Sequence, residues 1–451
     1  MNRNLRPLIF VLLYCCIFFN AIGQTDSGKD FHNWAATPPM GWNSWDCFGP
    51  TVTESEVKAN ADYMARYLKQ YGWNDVVVDI RWYVSNDKAH GYNQTDAAYN
   101  IDEYGRFIPA VNRFPSSADG KGFKPLADYL HSKGLKFGIH ILRGIPKAAV
   151  EKNLPVKGAD VKAKDIYSTK ELCTWISDMY TVDSSKKGAQ EYYNSLFDLY
   201  ASWGVDFVKV DDLSRPYHRA EIDMIRKAID QCGRKIVLSA SPGETPIADA
   251  ADIQQHANMW RVIDDFWDDW QPLKEHFAIF GRWNKWRIAG AWPDGDMLPL
   301  GRIGIRAERG EPRMTRFTKD EQYTLMTLWC ICKSPLMFGG NLPDNDAFTL
   351  SLLTNKDVLD VLNKSSNNKP LIDNENYAVW TADETGTKAK YIAVFNKTDA
   401  GTTLNIDLKE IGFSSATAKD LWSGKRPGSF SSSLKTDVNK HGARLFRISP
   451  R

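Results

Sequence analysis

The sequence predicts an α/β protein: a (β/α)8 barrel of the TIM type followed by a C-terminal antiparallel β-sandwich. Three observations carry this. Eight short apolar runs alternate with stretches of helical period between residues 37 and 340, the pattern of strand–helix units around a closed parallel sheet. Nearly every run ends in a polar or charged residue, and the carboxyl ends of barrel strands are where such enzymes keep their chemistry. From about residue 368 the texture changes to short alternating strands separated by Asn, Gly, Ser and Asp, as in a sandwich of about 80 residues.

Taken in order, TPPMGWNSWDCFG (37 to 49) reads as a turn entering the first strand. The helix after it carries a capping box, Thr53 to Glu56, and an apolar stripe of Val57, Ala61, Met64 and Leu68 that stops near Gly72. The second strand, WNDVVVDI (73 to 80), precedes a loop rich in Tyr, Asp and Asn that runs to about 115; loops of that length are commonly functional. A helix at about 122 to 133 leads into the third strand, KFGIHIL (136 to 142), and a second long loop spans 144 to 185. The helix AQEYYNSLFDLYASWG then enters the fourth strand, within VDFVKVDDLS (205 to 214). A helix of about 219 to 231 follows, then KIVLSASPG (235 to 243), ANMWRVIDD (257 to 265) and WRIAGAWPDGDML (286 to 298). An apolar helix of about 319 to 333 precedes SPLMFGG (334 to 340). The expected organisation is an N-terminal leader over 1–23, a barrel over 24–362 and a sandwich over 368–451.

The fourth strand holds the most informative residues. Strand side chains alternate, so Phe207, Lys209 and Asp211 share one face while Val208, Val210 and Asp212 share the other. A lysine and a carboxylate projecting together from a buried strand are costly unless paired or used. Other strand ends add Trp45, Asp79, His140, Ser239 and Ser241, then Arg261, Asp264 and Asp265, and finally Asp294 and Asp296. A lone Asp after a strand is ordinarily a helix N-cap and a lone Trp is ordinarily core. Six or more such ends directed into one mouth describe a functional cleft.

Composition narrows the chemistry. The 57 basic and 55 acidic residues are spread along 451 positions with no basic block, which argues against a nucleic-acid partner held by phosphate contacts. Eight histidines, none in a metal-ligand spacing, argue against a zinc enzyme, and no cofactor or metal is expected. Arg3 and Arg6 ahead of an apolar run from Leu8 to Phe19, with Ala21-Ile22-Gly23 before Gln24, form an export signal cleaved near Gly23-Gln24; the run is shorter than the roughly 20 residues of a membrane span. The five later cysteines, Cys47, Cys173, Cys232, Cys330 and Cys332, are odd in number and widely spaced, which describes no disulfide framework. Acids without histidine or metal clusters suit glycoside hydrolysis, with one carboxylate at the anomeric carbon and another delivering a proton to the leaving oxygen. Lys209 and Arg261 are placed to hold a nearby carboxylate ionised, a partly desolvated one is expected to stay protonated and act as the acid, and Trp45 can cover the apolar face of a pyranose. A magnesium-dependent barrel enzyme is the competing chemistry; it needs three spaced carboxylates and a lysine or histidine base.

TPPMGWNSWDCFG, KVDD and the pair WRVIDDFWDDW and WPDGDML together resemble the marker segments of glycoside hydrolase family 27, the retaining α-galactosidases and α-N-acetylgalactosaminidases. The resemblance runs in order from about 36 to 360 and implies a C-terminal sandwich. It places the nucleophile on Asp211 rather than Asp212 and the acid/base on Asp265 rather than Asp264, four residues after the substrate-contacting Arg261. Trp45, Asp79, Lys209 and Asp296 fall on positions lining the sugar pocket, and His140 stands where the family commonly has tyrosine. The sequence departs from the pattern in reading Asp79-Ile80 where galactose-specific members carry two consecutive aspartates. It also reads Ser239-Ala240-Ser241-Pro242-Gly243 on the fifth strand, and lacks the cysteine that normally follows the K-x-D segment to form a disulfide.

The resemblance thus implies an exported, retaining exo-glycosidase, its partner an oligosaccharide or polysaccharide. α-D-Galactosides are the default substrate; β-L-arabinopyranosides or isomaltose units of α-1,6-glucans are the alternatives raised by Ile80. A barrel that binds glycans without cleaving them is the reading from another class, and the presence of both carboxylates argues against it.

Overall fold

The computed structural model describes residues 27–241 and 243–451; the expected export signal lies outside them. Eight parallel strands form the barrel: β1 (Met40–Asn43), β2 (Asp75–Val78), β3 (Lys136–Leu142), β4 (Phe207–Asp211), β5 (Val237–Ala240), β6 (Met259–Arg261), β7 (Trp292–Asp294) and β8 (Leu336–Phe338). From β1 to β7 each strand pairs with the next, and β1 also pairs with β8. The ring closes on the last side where Leu298, just past β7, bridges Phe338, with Gly339 N–H donating to Leu298 O at 3.0 Å.

Principal helices follow each strand: α1 (Glu54–Tyr63), α2 (Lys124–Ser132), α3 (Ala189–Trp203), α4 (Arg219–Gln231), α5 (Ala250–His256), α6 (Trp270–Trp283), α7 (Lys319–Cys332) and α8 (Lys356–Lys364). The capping box of α1 forms, with Thr53 N–H donating to Glu56 at 2.9 Å. Its apolar stripe is fully buried. The helix continues as a π-helical turn over Met64–Leu68 and ends at Gly72, whose φ of 99° is open to glycine at no steric cost.

The period of two along the strands builds the site. Outward residues such as Val76, Val208, Leu238 and Trp260 pack beneath the helices. Inward residues form two layers. Val77, Phe207, Val237, Met259, Trp292 and Met337 join in one apolar cluster that plugs the barrel. The next inward residues along the same strands are Asp79, Lys209, Ser239, Arg261 and Asp294, so a polar layer stands directly on an apolar floor.

The sandwich follows at once. β9 begins at Ser365, after α8 ends at Lys364, a few residues ahead of the expected 368. β9 (Ser365–Asp373), β10 (Tyr377–Glu384), β11 (Lys390–Asn396), β12 (Thr402–Asp407), β13 (Ala416–Asp420), β14 (Gly428–Phe430), β15 (Ser433–Val438) and β16 (Ala443–Pro450) form two antiparallel sheets. One runs β9-β10-β11-β16-β13-β14 and the other is the pair β12-β15. Val379, Ile392, Leu404, Ile406, Leu434 and Phe446 fill the space between them. The outer face of the larger sheet rests on the barrel helices through Phe395 against Phe277 (5.0 Å) and Trp422, whose indole N–H donates to Thr327 at 2.9 Å.

Candidate active site

A cleft of about 630 Å³ opens at the carboxyl ends of the strands. Trp45, Asp79, Lys209, Asp211, Arg261, Asp265 and Asp296 line it together. Seven side chains spread over more than 250 residues of chain thus meet in one place.

Asp211 ends β4. Its Oδ2 accepts from His140 Nε2 at 2.7 Å and its Oδ1 from the Asp212 N–H at 2.6 Å. Asp212 has φ 64°, in the left-handed region that aspartate tolerates. Its own carboxylate pairs with Arg143 at 2.9 Å and does not line the cleft. Burial, offset in part by Arg143 and reinforced by Asp211, pushes Asp212 up to about 6.

Asp79 accepts from Lys209 Nζ at 3.1 Å, Asn43 Nδ2 at 2.7 Å and the Ile80 N–H at 2.8 Å. Burial works to raise its pKa, but Lys209, His140 and the Asn43 hydrogen bond outweigh it, and the group lies below the usual carboxylate range. Burial alone would discharge Lys209; Asp79, Asp211 and Asp296 hold its proton more firmly than usual. The opposite wall turns on Arg261, which pairs with Asp296 at 2.8 Å and Asp265 at 3.3 Å. Asp296 is buried, has φ 82°, and accepts from the Phe266 N–H at 2.7 Å. Burial and the nearby Asp265 raise its pKa despite Arg261. Asp294 beneath it is raised to about 7, chiefly by burial.

Asp265 lies beyond β6, at the rim of the cleft. Its side chain stands at the mouth, 46% exposed. Burial is the strongest single influence and raises its pKa, but Arg261, Lys209 and the hydrogen bond from Arg261 together outweigh it and hold the carboxyl below the usual range. Asp264 lines the outer mouth as well, where it is exposed and forms an ion pair with Arg215.

Three of the expected site residues stand behind the wall. His140 is fully buried and touches Asp211, with its Nε2 4.0 Å from Asp79. Ser239 and Ser241 line a small inner void with Lys209, Arg261 and Asp294.

Other lining residues escaped the sequence reading. Asp46 follows the first strand. Tyr92 stacks on Trp45 at 5.7 Å and meets Trp175 at 5.9 Å, so the two long loops supply one aromatic wall. Those loops are tied by the fully buried Arg81, which donates to Asp178 from Nε at 2.8 Å and from a terminal nitrogen at 2.6 Å. Tyr83 and Tyr99 donate to the same carboxylate at 2.7 and 2.6 Å. Loop length was the available signal; the pairing across 97 positions was not. Among the described residues no group of three or more His, Cys, Asp or Glu is arranged to hold a metal ion, and no helix is long and apolar enough to cross a membrane.

A barrel whose mouth gathers paired carboxylates, cations and an aromatic wall defines a sugar-processing site, and comparison with known proteins gives the class. The profile of the alpha galactosidase A family matches residues 37–185 and 179–364, and that of the alpha galactosidase C-terminal β-sandwich domain matches 374–448. A β-L-arabinopyranosidase of family 27 from Geobacillus stearothermophilus, solved with arabinose, is 52% identical with a TM-score of 0.92, covering 94% of this chain and 99% of that one. Alpha-galactosidase 2 of Arabidopsis thaliana is 26% identical over 92% of this chain and 90% of its own. Alpha-galactosidase A of Cellvibrio japonicus is 26% identical over 94% and 95%. The chain belongs to glycoside hydrolase family 27 and is a glycoside hydrolase.

Proposed function

We propose that the chain is an exported, retaining exo-glycosidase acting on β-L-arabinopyranosides. Asp211 attacks the anomeric carbon to form a covalent glycosyl-enzyme, and Asp265 protonates the leaving oxygen and then activates water. Lys209 and Asp79 hold hydroxyls of the sugar, one as donor and the other as ionised acceptor, while Trp45 covers an apolar face of the ring. Asp265 and Asp296 share Arg261, and of the two Asp296 carries the raised pKa. A sugar entering the mouth strips water from the half-exposed Asp265 and raises its pKa, which readies it as the acid. The export segment rests on the N-terminal pattern read above.

Ile80 carries the choice of sugar. It is buried, lines the cleft and follows Asp79, where the galactose-specific pattern has a second aspartate. β-L-Arabinopyranose shares the ring stereochemistry of α-D-galactopyranose and lacks only the C6 hydroxymethyl group. An isoleucine offers the C6 hydroxyl no partner, and burying an unpaired hydroxyl costs about 1–3 kcal/mol. The similar Geobacillus enzyme is an arabinopyranosidase. α-D-Galactoside hydrolysis is the second reading, favoured by the curated α-galactosidase relatives.

A panel of 4-nitrophenyl glycosides separates the two. The expected result is a preference for the β-L-arabinopyranoside. Ile80→Asp is expected to shift the kcat/KM ratio toward the α-D-galactoside by about tenfold or more. A wild-type enzyme that favours the galactoside by a similar factor, or an Ile80→Asp variant with an unchanged ratio, removes the basis for the arabinopyranoside assignment.

A further inference from the structure

Asp46 is an acid of the cleft for which the reaction above has no use. The short helix Trp45–Phe48 after β1 carries it into the mouth, where it lines the cleft while only 2% exposed. Its Oδ2 packs against Gly339 at the end of β8; a Cβ added to that glycine would come within 2.0 Å of the oxygen. No hydrogen-bond donor reaches Oδ2 from any described residue. The groups facing it are Asp79 from β2, Lys209 from β4, Asp265 beyond β6 and Asp296 beyond β7, with the buried Cys47 thiol next in the chain.

Of the four cations lining the cleft, Lys209, Arg215, Arg261 and Arg309, none hydrogen-bonds Asp46. Lys209 sits on Asp79, and Arg261 is shared by Asp296 and Asp265. A buried carboxyl with three acids around it and no donor of its own is costly as an anion. Burial first, and then Asp296, push its pKa well above the usual range. A neutral carboxyl is an O–H donor with an acceptor oxygen beside it.

We propose that Asp46 stands as a neutral carboxylic acid in the free enzyme and donates its O–H to an oxygen of the bound sugar, so that it helps select the substrate. The neighbouring Asp79 is an ionised acceptor, and a sugar hydroxyl both donates and accepts. A cleft with one neutral and one ionised acid thus offers both kinds of partner. This inference rests on the glycosidase reading, and its test keeps the two apart.

Wild type, Asp46→Asn and Asp46→Leu are compared on a 4-nitrophenyl glycoside that the wild type cleaves and on its monodeoxy derivatives, with melting curves for each protein. Asp46→Leu is expected to lower kcat/KM by about tenfold or more on the parent glycoside. On one deoxy substrate, which lacks the oxygen that Asp46 meets, the two losses do not add. Asp46→Asn keeps a donor and loses less. Ionisation of Asp46 adds a further alkaline loss to the limb set by the general acid Asp265, and the asparagine variant keeps only the Asp265 part. Additive losses on every deoxy substrate, or an alkaline limb identical in wild type and Asp46→Asn, overturn the proposal and leave Asp46 a packing residue. If Asp46→Leu does not fold, the pH profile of Asp46→Asn decides. Should the wild type cleave no glycoside, the hydrolytic assignment fails instead. Calorimetric binding of L-arabinose across pH, in wild type and Asp46→Asn, then decides the role of Asp46.

Discussion

Asp211→Ala is expected to lower kcat on every substrate by roughly 10⁴-fold or more, the scale seen when a covalent nucleophile is deleted, while the protein still melts cooperatively. The fold should survive because Asp211 lies at the open end of β4, above the plug of Phe207, Val237, Met259 and Trp292, and not within it. Removing the carboxylate frees His140, whose Nε2 donates to it, and His140 then faces the space left behind. A small anion supplied in solution should fill that space. With Asp211→Gly and azide, the expected product is a glycosyl azide of inverted configuration, because the anion attacks from the side the carboxylate occupied. Near-normal turnover by Asp211→Ala would show that the covalent role belongs elsewhere.

Asp265→Ala is expected to show a different pattern, set by the leaving group. Sugars on alkyl or sugar aglycones need protonation of the departing oxygen and should lose roughly 10²–10⁴-fold, the contribution of general acid–base catalysis. Aryl glycosides with acidic phenols leave without help, so their first step should be far less affected. Rescue by azide should here give a product of retained configuration, since the glycosyl-enzyme on Asp211 still forms. The limb of the pH profile assigned to the acid should vanish as well. Because Arg261 lowers the pKa of Asp265 in the free enzyme, that limb should lie at higher pH in kcat than in kcat/KM. Losses that do not depend on the leaving group would assign Asp265 to binding alone.

Much of this architecture is legible in the chain. The bounds expected for KFGIHIL and for the helix of 219 to 231 coincide with β3 and α4, because a buried parallel strand is a continuous apolar run and its neighbours announce themselves by period and by glycine stops. The alternation along β4 puts Lys209 and Asp211 inward, as read, and Asp212 aside on Arg143. Depth along a strand is less visible than direction. Ser239 and Ser241 share the inward face, and Ser239 is in register with Lys209, but these short side chains line the void behind Lys209 and Arg261 and not the cleft. The long loops hid more. The segment from 144 to 185 holds a small sheet of Ile145–Pro146, Tyr167–Ser168 and Met179–Val182. Tyr92 and Trp175 reach the cleft because Arg81 finds Asp178, a pairing no local pattern encodes. Nothing in the local pattern separates Asp46 from an ordinary polar residue beside Trp45.

The most direct test of the central claim is the anomeric configuration of the first-formed product, followed by proton NMR before mutarotation, on whichever pyranoside the wild type cleaves. A double displacement through Asp211 predicts that the free sugar appears first in the configuration of the substrate and drifts toward the equilibrium mixture. First appearance of the opposite anomer would mean that water attacks directly, and that no glycosyl-enzyme forms on Asp211.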